Sequence, residues 1–486
     1  MNFSLLRISS ILYLLIPNII FVNGWFRWQY AVPVTAGFVY LFWCEIKKKP
    51  GYLSGNLGLN NTLLIGVFTL IWTALTGIGG LFPQSSDFWA HHSKFYDLFK
   101  NPWPIFFEEK GRYACYYFGY YLIPALVSKL LSQLSVPAIF LWTWLGLGLG
   151  IAWVFLLIGK NKFLLFVFPF LGGFCLLAVK ILNLLFGSFD DLFYFLTMWS
   201  LYDQSLWVPN QVIPILIVSG IVVYDCFYNN KIYDSFFPIT LCFIWAIFPS
   251  IIMVFLYGLT LIFSKFKDIL HFSSLRTLIL PGLLFIPSFL YLLSSDSMPA
   301  KGFVWEVQSW HEIARSYTGG VLLEAIILFV LTILIRRYVP DIPLWFISGT
   351  YLLFIPLVFY RIGVNGDSLS RGSIPVLVLI SIMLLAAVSN FFTQYREIRP
   401  RRYYALVFLF LLSFSLPFLG LSRLENPIVH NKFLQKLSPG TFSGYTTIPY
   451  DRFSNAYQML LSQYSEAEAR QYLGKKNSLF EKYLVK

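Results

Sequence analysis

Charge is scarce in this chain. Only 12% of its 486 residues are Asp, Glu, Lys or Arg, about half the share found in a soluble domain. Apolar runs recur from one end to the other, which excludes a water-soluble enzyme carrying a single anchor. The runs are continuous and do not alternate, which excludes a transmembrane β-barrel. The five cysteines (Cys44, Cys115, Cys175, Cys226 and Cys242) are scattered and odd in number, so there is neither a disulfide framework nor a zinc spacing. No cofactor is indicated, and a divalent metal is left open. The N-terminal stretch lacks a small-residue cleavage site before Trp25 and Arg27, so it reads as an uncleaved first span and not as a signal peptide. No internal repeat is visible, unlike many transporters.

What is present is apolar: 57% of residues are hydrophobic and Phe alone contributes 50. The expected fold is all-α, a polytopic transmembrane helical bundle of about thirteen spans. They fall near 4–22, 29–45, 62–80, 136–158, 163–180, 208–226, 236–248, 250–263, 276–293, 318–335, 342–360, 373–391 and 403–421. The two short segments at 236–263 read as a hairpin broken at Pro249. The net charge of +13 does not call for nucleic acid, because the basic residues mostly gather in short loops. Lys47 to Lys49, Lys160 with Lys162, Lys265 with Lys267 and Arg276, Arg336 with Arg337, and Arg396 to Arg402 should all be cytoplasmic. These loops agree only if 116–134 does not span. That segment is expected to lie as an amphipathic helix at the outer interface, its tyrosines at headgroup level.

The N-terminus is then cytoplasmic, and 81–135, 181–207, 294–317, 361–372 and 422–486 are not. Residues 1–421 form the membrane domain and 422–486 a small extracytoplasmic cap, with no second catalytic domain expected.

Four polar regions gather at the outer rim. In the first, Ser85 and Ser86 can cap a helix that Asp87 begins and that Asn101-Pro102-Trp103-Pro104 ends. Asp87, His91 and Lys94 share one helical face, with Phe88, Phe95 and Phe99 on another, expected to meet lipid. A carboxylate at membrane depth is costly without a task, so Asp87 and His91 are the catalytic candidates. The ordinary alternative is a capping Asp87 beside solvated histidines. Asp97 is expected at the surface, paired with Lys94 or Lys100.

The second region supplies Asp190, Asp191 and Asp203, then Asn210 and Gln211, whose amides suit sugar hydroxyls. A solvated turn explains the aspartates equally well. The third region places Arg361 and Arg371 in a short outer loop, against the charge bias of such loops. An anionic ligand gives them a reason, since the guanidinium fork fits phosphate, and Asp367 could orient one of them. A simple Arg371–Asp367 pair is the alternative. The fourth region adds His311 and Arg315, one turn apart, beside Trp305 and Trp310, which read as interface anchors.

Together these features resemble the GT-C superfamily of integral-membrane glycosyltransferases, over roughly residues 60–420. The shared pattern is a span, an extracytoplasmic loop with an acid just past the membrane, juxtamembrane helices, and many further spans. Asp87 stands where that family carries its catalytic carboxylate, and 86–100 with 116–134 resemble its juxtamembrane pair. There are two departures: two extra spans come first, and Phe88 follows Asp87 where many members have a second acid. The resemblance implies a hexosyl- or pentosyltransferase in a cell membrane, the bacterial inner membrane by analogy. It would take a sugar from a polyprenyl-phosphate donor to a hydroxyl on a glycan, lipid or protein. A polysaccharide polymerase or ligase using lipid-linked glycans shares most of these features. A lipid or glycolipid transporter would need mid-span polar groups, which are nearly absent. A non-catalytic assembly subunit should tolerate loss of Asp87.

Overall fold

The computed structural model describes residues 2–48, 56–172, 199–229, 231–265, 272–296, 301–307, 342–362, 367–394 and 446–486, with 310, 329–330, 332–333, 336 and 435–436. Asp190, Asp191, His311 and Arg315 lie outside them, as does the segment 403–421 expected to span.

Six helices open the chain: α1 (Phe3–Trp25), α2 (Trp28–Ile46), α3 (Gly58–Leu75), α4 (Phe88–Lys100), α5 (Gly119–Leu130) and α6 (Val136–Leu157). α1 starts where the Asn2 side chain accepts from the Leu5 amide at 2.8 Å, and α6 where Ser135 accepts from the Ala138 amide. Further helices follow at Pro209–Val223, Ile247–Lys265, Phe272–Leu293, Leu344–Leu352 and Asp367–Gln394. Five helices among the described residues have the length and apolar composition to cross a membrane: Phe3–Trp25, Gly58–Leu75, Val136–Leu157, Pro209–Tyr228 and Ser368–Phe391. The protein is thus mostly helical and of membrane-embedded character.

Two details differ from expectation. The hairpin near 242 does not break at Pro249. A six-residue helix, Phe236–Leu241, is followed by turns, and the next helix begins at Ile247, so Pro249 sits in its first turn, where a missing N–H costs nothing. α5 has only 12 residues, about 18 Å of helix against a hydrocarbon core of about 30 Å, so it cannot cross.

The core is built by close helix approach. A Cβ at Gly150 of α6 would lie 2.7 Å from the Leu216 side chain, and Gly220 backs onto Trp153 in the same seam. With lipid tails as apolar as the core, small residues let helix backbones meet and gain dispersion contacts.

The two ends of the bundle differ. One end carries Arg7, Glu45, Lys48, Asp225 and Asp234. Arg7 Nε donates to Glu45 at 2.9 Å and Nη1 to Asp225 at 2.6 Å, while Lys48 meets Asp234 at 2.9 Å. This buried network ties α1, α2 and the π-helical turn Tyr224–Tyr228 together. Lys160 donates to the Asn56 carbonyl at 2.9 Å, and Asn56 pairs in a β-bridge with Asn2 at the start of α1, so Lys48 and Lys160 share this end. At the opposite end the loop 81–135 and the C-terminal segment 446–486 form a cap. The Arg27 amide donates to the Leu484 carbonyl and the Lys486 amide to the Trp25 carbonyl. Asp296 is held by Arg112 at 2.5 Å and by Arg470 at 2.9 Å. Burial pushes the Asp296 carboxyl up, but the bonds from Arg470 and Arg112 outweigh it and hold the carboxyl below its usual value.

Candidate functional site

The site forms where α4 lies under this cap. The chain leaves α3 through Gly77 at φ 83° and Gly79 at φ 81°, a left-handed path that side chains resist. Gln84 Nε2 closes the turn on the Gly77 carbonyl at 3.0 Å, and Ser85 Oγ donates to the Leu206 carbonyl at 2.7 Å. Asp87 stands at the N-cap position of α4, yet its side chain makes no capping bond. α4 ends at Asn101, as the Asn-Pro signal predicts.

Asp87, His91 and Lys94 do share one face, and it opens on a cavity of about 330 Å³. From the bundle side the cavity is lined by these three with Tyr116, Asn210 and Arg371. From the C-terminal segment come Leu460, Tyr464, Ser465, Glu468, Gln471 and Tyr472. Its size is at the low end of ligand pockets, sufficient for one sugar.

Lys94 is almost fully buried and lines the cavity, although the sequence reading did not count it among the candidate site residues. Its ammonium lies 4.3 Å from the Tyr116 ring centre, 5.0 Å from Tyr121 and 5.4 Å from Tyr472, and it donates to the Tyr116 hydroxyl at 3.3 Å. Burial lowers its pKa well below that of a free lysine; the Asp87 charge works against this and the Arg371 charge adds to it. The tyrosine faces recover part of the lost hydration. The cue was present: Lys94 follows Asp87 by two turns on the same face.

His91 differs from a poised base. Its Nε2 meets the Trp207 carbonyl at 2.8 Å and its Nδ1 the Tyr121 hydroxyl at 2.7 Å. A carbonyl only accepts, so Nε2 carries the proton and Nδ1 accepts from Tyr121. Burial first, and then the Lys94 charge, push the imidazole pKa well below its ordinary value. His91 is neutral, with both nitrogens engaged, and positions α4 against its neighbours. His92 is likewise engaged, stacked on Tyr450 with ring centres 3.6 Å apart, and burial lowers its pKa to about 4.

The aromatic residues are not where a lipid interface would put them. Phe88, Phe95, Tyr116, Tyr117, Tyr120 and Tyr121 are all buried within the protein. Each tyrosine hydroxyl finds a partner there: Tyr120 meets Thr143 at 2.6 Å, Tyr121 meets His91, and Tyr117 accepts from Gln211 at 3.2 Å and Arg371 at 3.4 Å. The cap excludes lipid from this face, and hydroxyls with protein partners can be buried.

Asp97 is not a surface residue. It is 2% exposed, and its Oδ2 accepts from the Ala456 amide at 2.8 Å, docking the C-terminal segment on α4. Burial raises its pKa to about 7. Its folded pKa therefore exceeds the unfolded value, so ionisation opposes folding increasingly from about pH 4 up to about pH 7 and fully above that. Asp97→Asn keeps the acceptor for Ala456 and removes the charge. We expect it to match wild type in thermal unfolding at about pH 3 and to exceed it by about 2 °C or more at pH 8. Equal midpoints at both pH values would contradict this account.

Of the remaining predicted residues, Arg371 lines the cavity and Arg361 does not. Arg361 lies on a strand, Tyr360–Ile362, opposite Gly302 of the strand Lys301–Phe303, so the third and fourth polar regions meet in a two-stranded sheet that contributes nothing to the cavity lining. Asp367 starts the helix that carries Arg371. Asn210 lines the cavity with its Oδ1 buried and unpartnered among the described residues. Gln211 sits one step behind, through Tyr117. Among the described residues no group of three or more His, Cys, Asp or Glu could hold a metal ion. Compared with known proteins, the chain matches no protein-family model, no curated protein and no solved structure.

Proposed function

We propose that the protein is a membrane glycosyltransferase that moves a sugar from a polyprenyl-phosphate donor to a hydroxyl acceptor at the non-cytoplasmic face. The observation that carries this reading is the convergence of Asp87, Lys94, Asn210 and Arg371 on one capped cavity at the end of the spanning helices. A lipid donor keeps its chain in the bilayer and its sugar at that depth. Asp87 takes the proton of the acceptor hydroxyl, whose oxygen attacks the anomeric carbon. The bond from that carbon to the phosphate oxygen breaks, and polyprenyl phosphate leaves. Arg371 and Lys94 bear the charge that develops on the phosphate. Asn210 accepts from a sugar hydroxyl. His91, Gln211 and the tyrosines hold these groups in place. Cells lacking the protein should accumulate the polyprenyl-phosphate sugar in their lipid extract. An unchanged lipid-linked sugar pool would overturn the reading.

The same reading includes about thirteen spans, a cytoplasmic N-terminus and an extracytoplasmic C-terminus. The shared end of Lys48 and Lys160 supports that orientation. A cysteine introduced beside Lys160 should resist an impermeant maleimide in intact cells and react after lysis. Labelling from outside would invert the scheme.

A further inference from the structure

The Lys94 ammonium is enclosed by rings from two distant parts of the chain. Tyr116 and Tyr121 come from the start of α5 and the residues before it, and Tyr472 comes from the C-terminal segment. Lys94 is 3% exposed, so water contributes little to its solvation, and burial disfavours its charged form. An ammonium carries three N–H donors. Among the described residues its one hydrogen bond goes to the Tyr116 hydroxyl, at 3.3 Å. Two donors therefore remain on a buried cation that lines a cavity, and leaving them unmet is unfavourable. An anionic oxygen supplies both an acceptor and a matching charge.

Tyr472 has a second part in this arrangement. Its ring stacks on Tyr116 with centres 4.6 Å apart, and Tyr116 stacks in turn on Tyr117 at 3.9 Å. The ring nearest the ammonium is thereby packed against two others. The backbone around Tyr472 is fixed as well. The Cys115 amide donates to the Tyr472 carbonyl at 2.9 Å, the Gly474 amide to the Tyr113 carbonyl at 2.8 Å, and the Asp296 amide to the Leu473 carbonyl at 2.7 Å. Docking of the C-terminal segment thus brings one ring to Lys94 and steadies another.

We infer that Tyr472 is a positioning residue for anion binding: it completes the ring cage around the Lys94 ammonium, so that docking of the C-terminal segment and binding of an anion in the cavity strengthen each other. Coupling of this kind is reciprocal. The inference rests on the glycosyltransferase reading only in naming that anion as the donor phosphate; the coupling itself is a binding property.

The test uses the full chain in lipid nanodiscs, with undecaprenyl phosphate and pyrophosphate as anionic probes and undecaprenol as the neutral control. Tyr472→Leu should weaken undecaprenyl phosphate binding about three- to tenfold, the scale of one contact between a cation and a ring. Tyr472→Phe keeps the ring and should lose clearly less. A double-variant cycle separates this role from a general loosening of the cap. Because Tyr472 acts through Lys94, adding Tyr472→Leu to Lys94→Met should weaken binding no further, whereas independent effects add. Amide exchange across residues 456–473 should slow with undecaprenyl phosphate and not with undecaprenol, and the slowing should be lost in Lys94→Met. Equal losses in the Phe and Leu variants, no loss in either, or additive losses in the cycle overturns the inference and leaves the donor reading intact. If Tyr472→Leu does not fold, the exchange measurement decides, and absence of slowing specific to the phosphate overturns the inference. If undecaprenyl phosphate does not bind but pyrophosphate does, with the stated dependence on Tyr472, the donor reading fails and the cage stands. Binding of neither anion overturns both.

Discussion

On the proposed function, Asp87→Asn should lower sugar transfer by about 10²–10⁴, the usual worth of a positioned general base. The substitution preserves shape and one carbonyl oxygen, and removes only basicity. The Asp87 side chain makes no capping bond to α4, so the helix start does not depend on its charge, and thermal unfolding of the variant checks that the fold holds. Lys94 is close enough to feel the Asp87 charge, and losing that charge leaves the lysine harder to protonate. The variant should therefore show a secondary loss of donor binding, smaller than its loss of turnover. Initial rates with purified protein and a polyprenyl-phosphate sugar measure the first effect, and donor binding the second. Near-normal turnover would place the base elsewhere.

Arg371→Ala should weaken binding of the proposed donor about ten- to a hundredfold, the cost of one charge-assisted hydrogen bond. Arg371→Lys recovers part of this, because a lysine keeps the charge and loses the parallel donors. Arg361→Ala has a much smaller effect, since its strand lies outside the cavity lining. Removing Arg371 also removes a donor to Tyr117, but Gln211 still reaches that hydroxyl at 3.2 Å. The local fold should therefore hold. Titration of undecaprenyl phosphate against the three variants checks the order. Equal losses for Arg361→Ala and Arg371→Ala would mean that charge alone, and not the cavity, governs binding.

Local features were legible before the structure. The stop of α4 at Asn101 follows the sequence signal, its start at Phe88 is made without a side-chain cap from Ser85, Ser86 or Asp87, and helical spacing puts Asp87, His91 and Lys94 on one face. Within 116–134 the structure has a helix of only 12 residues, Gly119–Leu130. What sequence could not supply was which apolar face meets lipid and which meets protein. Phe and Tyr are suited to both, and periodicity is the same in each case. The sequence therefore suggests a headgroup interface for the tyrosines of 116–121, whereas they are buried in the protein, Tyr116 against Tyr472, Tyr120 against Thr143 and Tyr121 against His91. The C-terminal segment docks through residues far apart in sequence, such as Asp97 and Ala456, 359 positions apart, and no short-range pattern encodes such a meeting. One local signal was readable: Ser465 and Glu468 have the spacing of a helix cap. It marked a folded segment, though not what that segment faces. The two arginines of 361–371 illustrate the same limit. Ten residues apart in one loop, they looked equivalent, and a strand pairing sends one of them away from the cavity.

The central claim is that this cavity holds the head of a lipid-linked sugar. Photocrosslinking with a diazirine-bearing undecaprenyl-phosphate sugar, followed by peptide mapping, tests it most directly. Label should appear in α4, around Arg371 and in residues 460–472, and should fall when Arg371 is replaced by alanine. Label concentrated at the opposite end, near Arg7 and Glu45, or spread without regard to Arg371, would contradict the account.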